Sequence, residues 1–319
     1  MKKINILFLS SGNRVELIKE FNKAKKELNI NGEIHTLDLD EYAPTLYFSD
    51  KKGKISPIGS ENYIKDLKRY CIKNKISLII PLIEKELEIL SKFKDEIERE
   101  TNCKVLVSDE NVIEIARNKY KTEKFLKENG FNTPKIISDL DIENKNYKFP
   151  LFIKPFNGSG SIENFKINND EELSFFRKYV TNPIIQEFIE GQEYCIDVFS
   201  DFDKNIITIV TKERIEHSSG SISKARVVKD DDILLEIKKL VSILGSVGEI
   251  NIDCIKKGKK VYIIEINARF PGGPPLSFRA GANSAKNIYR MLSGEKLEYI
   301  KDYEYGLKVI RFNDSIFIK

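Results

Sequence analysis

Histidine is nearly absent: His35 and His217 are the two among 319 residues. Zinc chemistry and Ser–His or Cys–His catalysis therefore have little to work with. Cysteine is scarce and scattered. Cys71, Cys103, Cys195 and Cys254 make no C-x-x-C pair, so a disulfide frame or zinc site is not expected, and reduced, buried thiols of a cytoplasmic protein are. No apolar run nears the roughly 18 residues that a membrane helix needs. The N-terminus superficially resembles a signal peptide. Its apolar stretch Ile4–Leu9 is shorter than the roughly 7–15 residues of a signal core, and a charged helix pattern follows at once, so a buried first strand is expected. A strong charge of one sign is also missing. The 53 basic and 49 acidic side chains leave +4, and the lysines are spread along the chain, which fits a solvated surface and not a nucleic-acid partner. There are no internal repeats and no low-complexity tract.

The length suits two or three structural units. The first hundred or so residues alternate between strand and helix patterns. Ile4–Leu9 is continuously apolar, as a strand covered on both faces should be. Ser10-Ser11-Gly12-Asn13 forms a turn, with Asn13 and Glu16 spaced as a capping box. Further strands are expected at 34–39, 78–82 and 104–107, with helices at 63–73 and 84–99. This alternation implies an α/β domain with a parallel sheet over residues 1–108. Helices follow at 109–116 and 120–128, and 139–147 reads as a surface loop. From Leu151 on, strands dominate: 151–154, 163–167, 184–187, 193–200, 205–212, 222–228, 249–255 and 260–267. Helices are expected near 170–180, 230–244 and 284–292. An α+β domain of two subdomains, 109–185 and 186–319, is the expectation.

Two segments carry chemistry. In the first, the apolar strand Leu151–Ile153 delivers Lys154, and Gly158-Ser159-Gly160-Ser161 follows. Glycines let backbone N–H groups approach phosphate oxygens, serines add donors, and lysine supplies compact positive charge. The loop is neither a Walker A motif nor a G-x-G-x-x-G fingerprint. A glycine-rich hairpin turn is the competing reading. In the second, two alternating strands flank a basic turn at Gly258. Folding the hairpin near Gly258–Lys259 puts Asp253 opposite Glu265 and Asn251 near Asn267, with Ile264 and Ile266 directed into the core. Two carboxylates and an amide oxygen then converge, a hard-oxygen set suited to Mg²⁺. The competing reading is a polar sheet face salt-bridged to lysines.

Together these segments resemble the ATP-grasp superfamily, and in particular single-copy proteins similar to the synthetase half of the carbamoyl phosphate synthase large subunit. Ile4–Ser11 with Asn13-Arg14-Val15-Glu16, then Asp38, Ala43-Pro44 and Leu46, resembles the domain that precedes the ATP-grasp fold. Arg117-Asn118-Lys119-Tyr120-Lys121 resembles the first nucleotide-contacting segment. The resemblance implies that Lys119 touches phosphate and that Lys154 reaches the α- and β-phosphates. Gln186-Glu187-Phe188-Ile189-Glu190-Gly191-Gln192-Glu193 resembles the hinge. There Gln186, Glu187, Phe188 and Ile189 would hold adenine and Glu193 the ribose hydroxyls. Asp253, Glu265 and Asn267 match the metal positions, for one or two Mg²⁺ ions with Mn²⁺ able to substitute. Arg269 matches a phosphate-contacting arginine, although Ala268 stands where proline is commoner.

The resemblance implies ATP-dependent activation of a carboxylate as an acyl phosphate, attacked by an amine or similar nucleophile. Arg269, Arg214 and Arg279 are the candidates for stabilising the charged intermediate, and surface charge is the competing reading for the last two. His217 reads as a loop histidine before a general base. Bicarbonate phosphorylation of the carbamoyl phosphate synthase kind ranks lower, because its familiar form uses duplicated halves and this chain has one copy. A non-catalytic ATP-binding module and a dinucleotide-dependent oxidoreductase rank below that. Small-molecule acid and amine substrates, a homodimer and a cytoplasmic location complete the expectations.

Overall fold

The computed structural model describes residues 3–156, 163–218 and 221–318. Its N-terminal unit runs β1 (Asn5–Leu9), α1 (Val15–Glu27), β2 (Ile34–Asp38), β3 (Lys51–Lys54), α2 (Tyr63–Asn74), β4 (Ile76–Pro81), α3 (Glu84–Thr101) and β5 (Lys104–Val105). The strands form a parallel sheet in the order β3-β2-β1-β4-β5. Every residue of β1 and β2 is buried, as helices on both faces of a parallel sheet require. The Lys-Lys-Gly-Lys strand β3 carries no apolar signal and shows no strand pattern in the sequence. It closes one edge, where lysines discourage further pairing. The expected Asn13–Glu16 capping box is absent. The residue preceding α1 is Arg14, and it makes no side-chain cap. Asp38 at the end of β2 instead accepts the Gly12 N–H at 2.9 Å, which ties the turn to the neighbouring strand.

Helices α4 (Glu110–Arg117) and α5 (Lys119–Glu128) lead to α6 (Asp139–Glu143), β6 (Leu151–Pro155), β7 (Phe165–Ile167), α7 (Asp170–Tyr179) and β8 (Pro183–Glu187). The polar segment expected as a loop is helical at α6 because Ser138 and Asp141 build a reciprocal cap. Strands β7-β6-β8 form an antiparallel sheet over a small core that includes Leu151, Ile153, Ile167 and Ile185.

The last unit contains β9 (Gln192–Ser200), β10 (Ile206–Ser218), β11 (Ser221–Val227), α8 (Asp231–Leu244), β12 (Gly248–Lys257), β13 (Lys260–Asn267), α9 (Leu276–Arg279), α10 (Ser284–Leu292) and β14 (Lys308–Ile310). Its antiparallel sheet has the order β13-β12-β9-β10-β11-β14. Asn132 bridges to Tyr262 on β13, and the Ile263 N–H donates to the Asn132 carbonyl at 2.9 Å. The segment after α5 is thus fastened to the large sheet, and one continuous core joins Leu87, Val112, Leu126, Ile252 and Ile263. We propose 1–108, 109–185 and 186–319 as the domain limits, with α4 and α5 opening the second unit.

Asn118 caps α5 by accepting the N–H groups of Tyr120 and Lys121. Losing an N-cap costs about 1 kcal/mol. Asn118→Ala should therefore lower unfolding stability by about that amount in urea denaturation. A change below a few tenths would mean that the cap contributes nothing.

Candidate active site

The hairpin β12–β13 has the register expected from its turn. Asp253 pairs with Glu265 and Asn251 with Asn267. Lys257 pairs with Lys260, so Gly258 and Lys259 form the turn, and Gly258 takes φ 61°, where L side chains are strained. Ile264 does not point into the core, as strict alternation would have it. The register shifts after Asp253, so that Cys254 faces Ile263 and Ile264 becomes the extra residue of a β-bulge. Ile263 and Ile266 are buried in the core, whereas Ile264 lines the cleft beside Glu265. The bulge therefore turns two consecutive side chains toward the cleft.

The cleft has a volume of about 680 Å³ and lies where the N-terminal unit meets the large sheet. Lys119, Arg214, Asp253, Glu265, Asn267 and Arg269 line it. Lys154, at the end of β6, is buried. Burial pushes its ammonium down to about 8; Glu265 pulls it up, Lys119 pushes it down, and Asp253 pulls it up again. Both carboxylates are thus near enough for their charge to act on Lys154, although neither forms an ion pair with it. Lys119 Nζ donates to the Phe156 carbonyl at 2.8 Å, two residues before Gly158, Ser159, Gly160 and Ser161. Those four residues, and the side chain of His217, lie outside the described residues.

Arg214 Nη2 donates to Asp253 Oδ1 at 2.6 Å, and its Nη1 lies 3.6 Å from Glu193. Burial alone would lower the Arg214 guanidinium, but Asp253, Cys195 and Glu193 hold it above its ordinary range. The Glu265 carboxylate has no hydrogen bond or ion pair among the described residues and lines the cleft, so it is available to a ligand. Asn267 Oδ1 accepts only a long contact from Arg269 at 3.4 Å. Hard oxygens from Asp253, Glu265 and Asn267 therefore fit Mg²⁺. Among the described residues no group of three His, Cys, Asp or Glu side chains is placed to hold a metal ion; the set here is two carboxylates and the amide of Asn267.

Other expected residues fall elsewhere. Arg279 pairs with Glu20 on α1 and does not line the cleft. Gln186, Glu187, Phe188 and Ile189 are also outside its lining. Glu187 Oε1 accepts the Lys135 N–H at 3.0 Å, and Gln186 Nε2 makes a long contact of 3.4 Å with the Pro134 carbonyl. Both hinge side chains thus hold the 134–137 segment against β8. The Phe188 ring lies under Lys166 Nζ at 4.5 Å.

Several further groups carry no local signature along the chain. Lys212 is buried in an ion pair with Asp197 at 2.5 Å; Ser277 Oγ and Asn251 Nδ2 also donate to Asp197, at 2.7 and 2.9 Å. Burial would push Lys212 down, but Asp197 and Cys195 hold it above its usual range. This network fixes β9, β10 and β12 behind the carboxylates. From the N-terminal unit, Arg14, Glu84 and Lys85 reach the cleft. Glu84 Oε1 binds Arg269 through Nη2 and, at 2.7 Å, through Nε. These residues follow β1 and β4. Chain order reverses between those two neighbouring strands, and open parallel sheets bind ligands at the carboxyl ends flanking such a switch point.

Residues 116–273 match the ATP-grasp domain, and residues 6–106 match the PylC-like, N-terminal domain. The chain belongs to the ATP-grasp superfamily and is an enzyme of its ligase class. Its N-terminal unit is of the PylC-like kind. It is 26% identical over 260 residues to the carbamoyl-phosphate synthase of Methanobrevibacter smithii, covering 73% of this chain and 70% of that one. It is 31% identical over 225 residues to the carbamoyl phosphate synthase large chain of Thermoanaerobacter sp., covering 64% of this chain and 21% of that one. The chain thus spans about a fifth of the large chain. Among solved structures, N5-carboxyaminoimidazole synthetase from Staphylococcus aureus complexed with ADP superposes with a TM-score of 0.75 at 17% identity, covering 95% of this chain and 80% of that one. The biotin carboxylase domain of Hydrogenobacter thermophilus 2-oxoglutarate carboxylase, with MgADP and bicarbonate, gives 0.75 at 17% identity, covering 97% and 74%. At these identities the likeness shows the fold alone. No helix among the described residues is long and apolar enough to cross a membrane.

Glu86, in the first turn of α3, is fully buried. Burial raises its carboxyl from 4.5 to about 7, although Ser10 and Tyr63 hydroxyls donate to it. The folded state therefore holds more protons than the unfolded state between pH 4.5 and 7, and stability falls as pH rises through that window. Glu86→Gln should remove this loss, worth at most about 3 kcal/mol. Urea denaturation at pH 5 and 7.5 checks it, and equal pH slopes in both proteins would contradict it.

Proposed function

We propose that the chain uses ATP and Mg²⁺ to convert a small acceptor carboxylate into an acyl phosphate, which an amine or similar nucleophile attacks with release of phosphate. The observation that carries this reading is the convergence of Asp253, Glu265 and Asn267 on one face beside Lys154. Mg²⁺, held by those oxygens, would neutralise phosphate charge as the γ-phosphoryl moves. Lys154 and Lys119 hold the polyphosphate by charge, and Gly158, Ser159, Gly160 and Ser161 supply further donors to it. Arg269, oriented by Glu84, is aimed to stabilise charge on the transferring group. Arg214 serves Asp253 and, through Glu193, the ribose side. Gln186, Glu187, Phe188 and Ile189 flank the nucleotide at the hinge. Arg279, paired to Glu20 outside the cleft, has no role in this reading. The seam between the units shields the acyl phosphate from water. A homodimer and a cytoplasmic setting accompany the reading.

Bicarbonate as the acceptor is the second reading. It is favoured by the likeness to proteins named carbamoyl phosphate synthase and by the neighbour described with bicarbonate. ADP release from a panel of acids, amines and bicarbonate separates the two.

Glu265→Gln should lower ADP formation at least about 100-fold, the scale on which lost electrostatic stabilisation is felt, with the circular dichroism spectrum unchanged. Turnover at the wild-type rate would remove Glu265 from the mechanism. Lys154 stands at about 8 without ligand and must be charged to hold phosphate. MgADP binding at pH 8.5 should therefore take up a proton, and affinity should fall as pH rises further. Calorimetry in two buffers of different ionisation enthalpy measures the uptake. No uptake in the wild type, or the same uptake in Lys154→Ala, would contradict the assignment.

A further inference from the structure

Four arginines line the cleft: Arg14, Arg117, Arg214 and Arg269. Three have carboxylate partners, in Glu88, Asp253 and Glu84 respectively. Arg14 has none among the described residues, and its Nε is shielded from solvent without a hydrogen bond. Burial and the nearby charge of Arg269 push its guanidinium down to about 10, against the pull of Glu84 and Glu86, so it stays charged at neutral pH. A half-buried cation without a counter-ion is costly. Glu86, though near, bonds to Ser10 and Tyr63. Arg269 cannot turn to relieve the repulsion, because Glu84 and the Phe270 carbonyl hold it. One small anion lying beside both guanidiniums would satisfy Arg14 and cancel the repulsion together.

The location supports a ligand. Arg14 stands after β1, beside the loop after β4, at the point where strand order reverses. Arg269 stands two residues from Asn267, beside the carboxylate hairpin. An anion beside both would present one end to the transferring phosphoryl group and the rest to the N-terminal unit.

We propose that Arg14 binds the acceptor's carboxylate and presents it beside Arg269, so that the N-terminal unit supplies the acceptor-binding residue. This rests on the acyl phosphate reading. The acceptor is then a small carboxylic acid or bicarbonate, and Arg14 sets affinity for it and not for nucleotide.

The test uses full-length protein crystallised with MgADP in sodium bromide, with bromide as the anion probe and its anomalous signal as the readout. The wild type should show a bromide peak against the Arg14 guanidinium. Arg14→Gln should lose it and Arg14→Lys should keep it at reduced occupancy, while calorimetry gives MgADP affinities within two-fold of wild type. Displacement of bromide by bicarbonate alone assigns the site to bicarbonate, and displacement by acetate as well assigns it to carboxylic acids generally. MgADP bound with no bromide at Arg14, a peak that persists in Arg14→Gln, or displacement by neither anion would overturn the inference while leaving the nucleotide site standing. Failure of the wild type to bind MgADP would instead overturn the functional reading on which the inference rests.

Discussion

Strand pairing between β12 and β13 is the constraint on which the site depends. In this register Ile250, Ile252, Ile263 and Ile266 are buried, worth roughly 1.5–3 kcal/mol each. A slip of β13 by one residue would send Ile263 and Ile266 to the cleft and drive Glu265 into the core, and a slip of β12 would do the same with Ile250, Ile252 and Asp253. Each unpaired carboxylate buried that way would cost several kcal/mol more. The apolar face therefore fixes where the carboxylates point. The bulge at Ile264 then refines the aim of Glu265 without disturbing the core on either side.

What lies behind and across from that hairpin makes its face reactive. The Asp197–Lys212 pair, with Ser277 and Asn251 donating to it, is a satisfied buried network that holds three strands in fixed relation. Across the cleft, Glu84 reaches from the N-terminal unit to orient Arg269. An exposed ion pair of this kind would contribute under about 1 kcal/mol. Its value here is geometric, because it joins two units at the point where charge must be handled. The continuous core shared by Leu87, Val112 and Ile252 keeps those units from sliding.

Much of this was legible in the sequence, for identifiable reasons. Asp253 opposite Glu265 follows from counting outward from a glycine turn, since strand periodicity leaves no freedom. The buried strands β1 and β4 follow from the apolar runs Ile6–Leu9 and Leu78–Ile80 within them. Arg14 and Glu84 were not legible as site residues. Each sits beside a helix start with no local sign of a role in the site, and only the reversal of strand order brings them together. Lys212 and Asp197 read as alternating polar positions on separate strands, and nothing local marks them as buried partners. Arg279 misled because an arginine's partner is decided by tertiary packing, here Glu20 on α1. Ile264 misled because strict alternation has no means of announcing a bulge.

If oxygens on β12 and β13 gather a divalent ion together with a nucleotide, electron paramagnetic resonance of Mn²⁺, titrated with the protein in the presence and absence of ADP, will register it. The free Mn²⁺ signal should be depleted far more strongly with ADP present, and the variant carrying both Asp253→Asn and Glu265→Gln should lose this enhancement while remaining folded. Mn²⁺ bound equally well by that variant, or without regard to ADP, would contradict it.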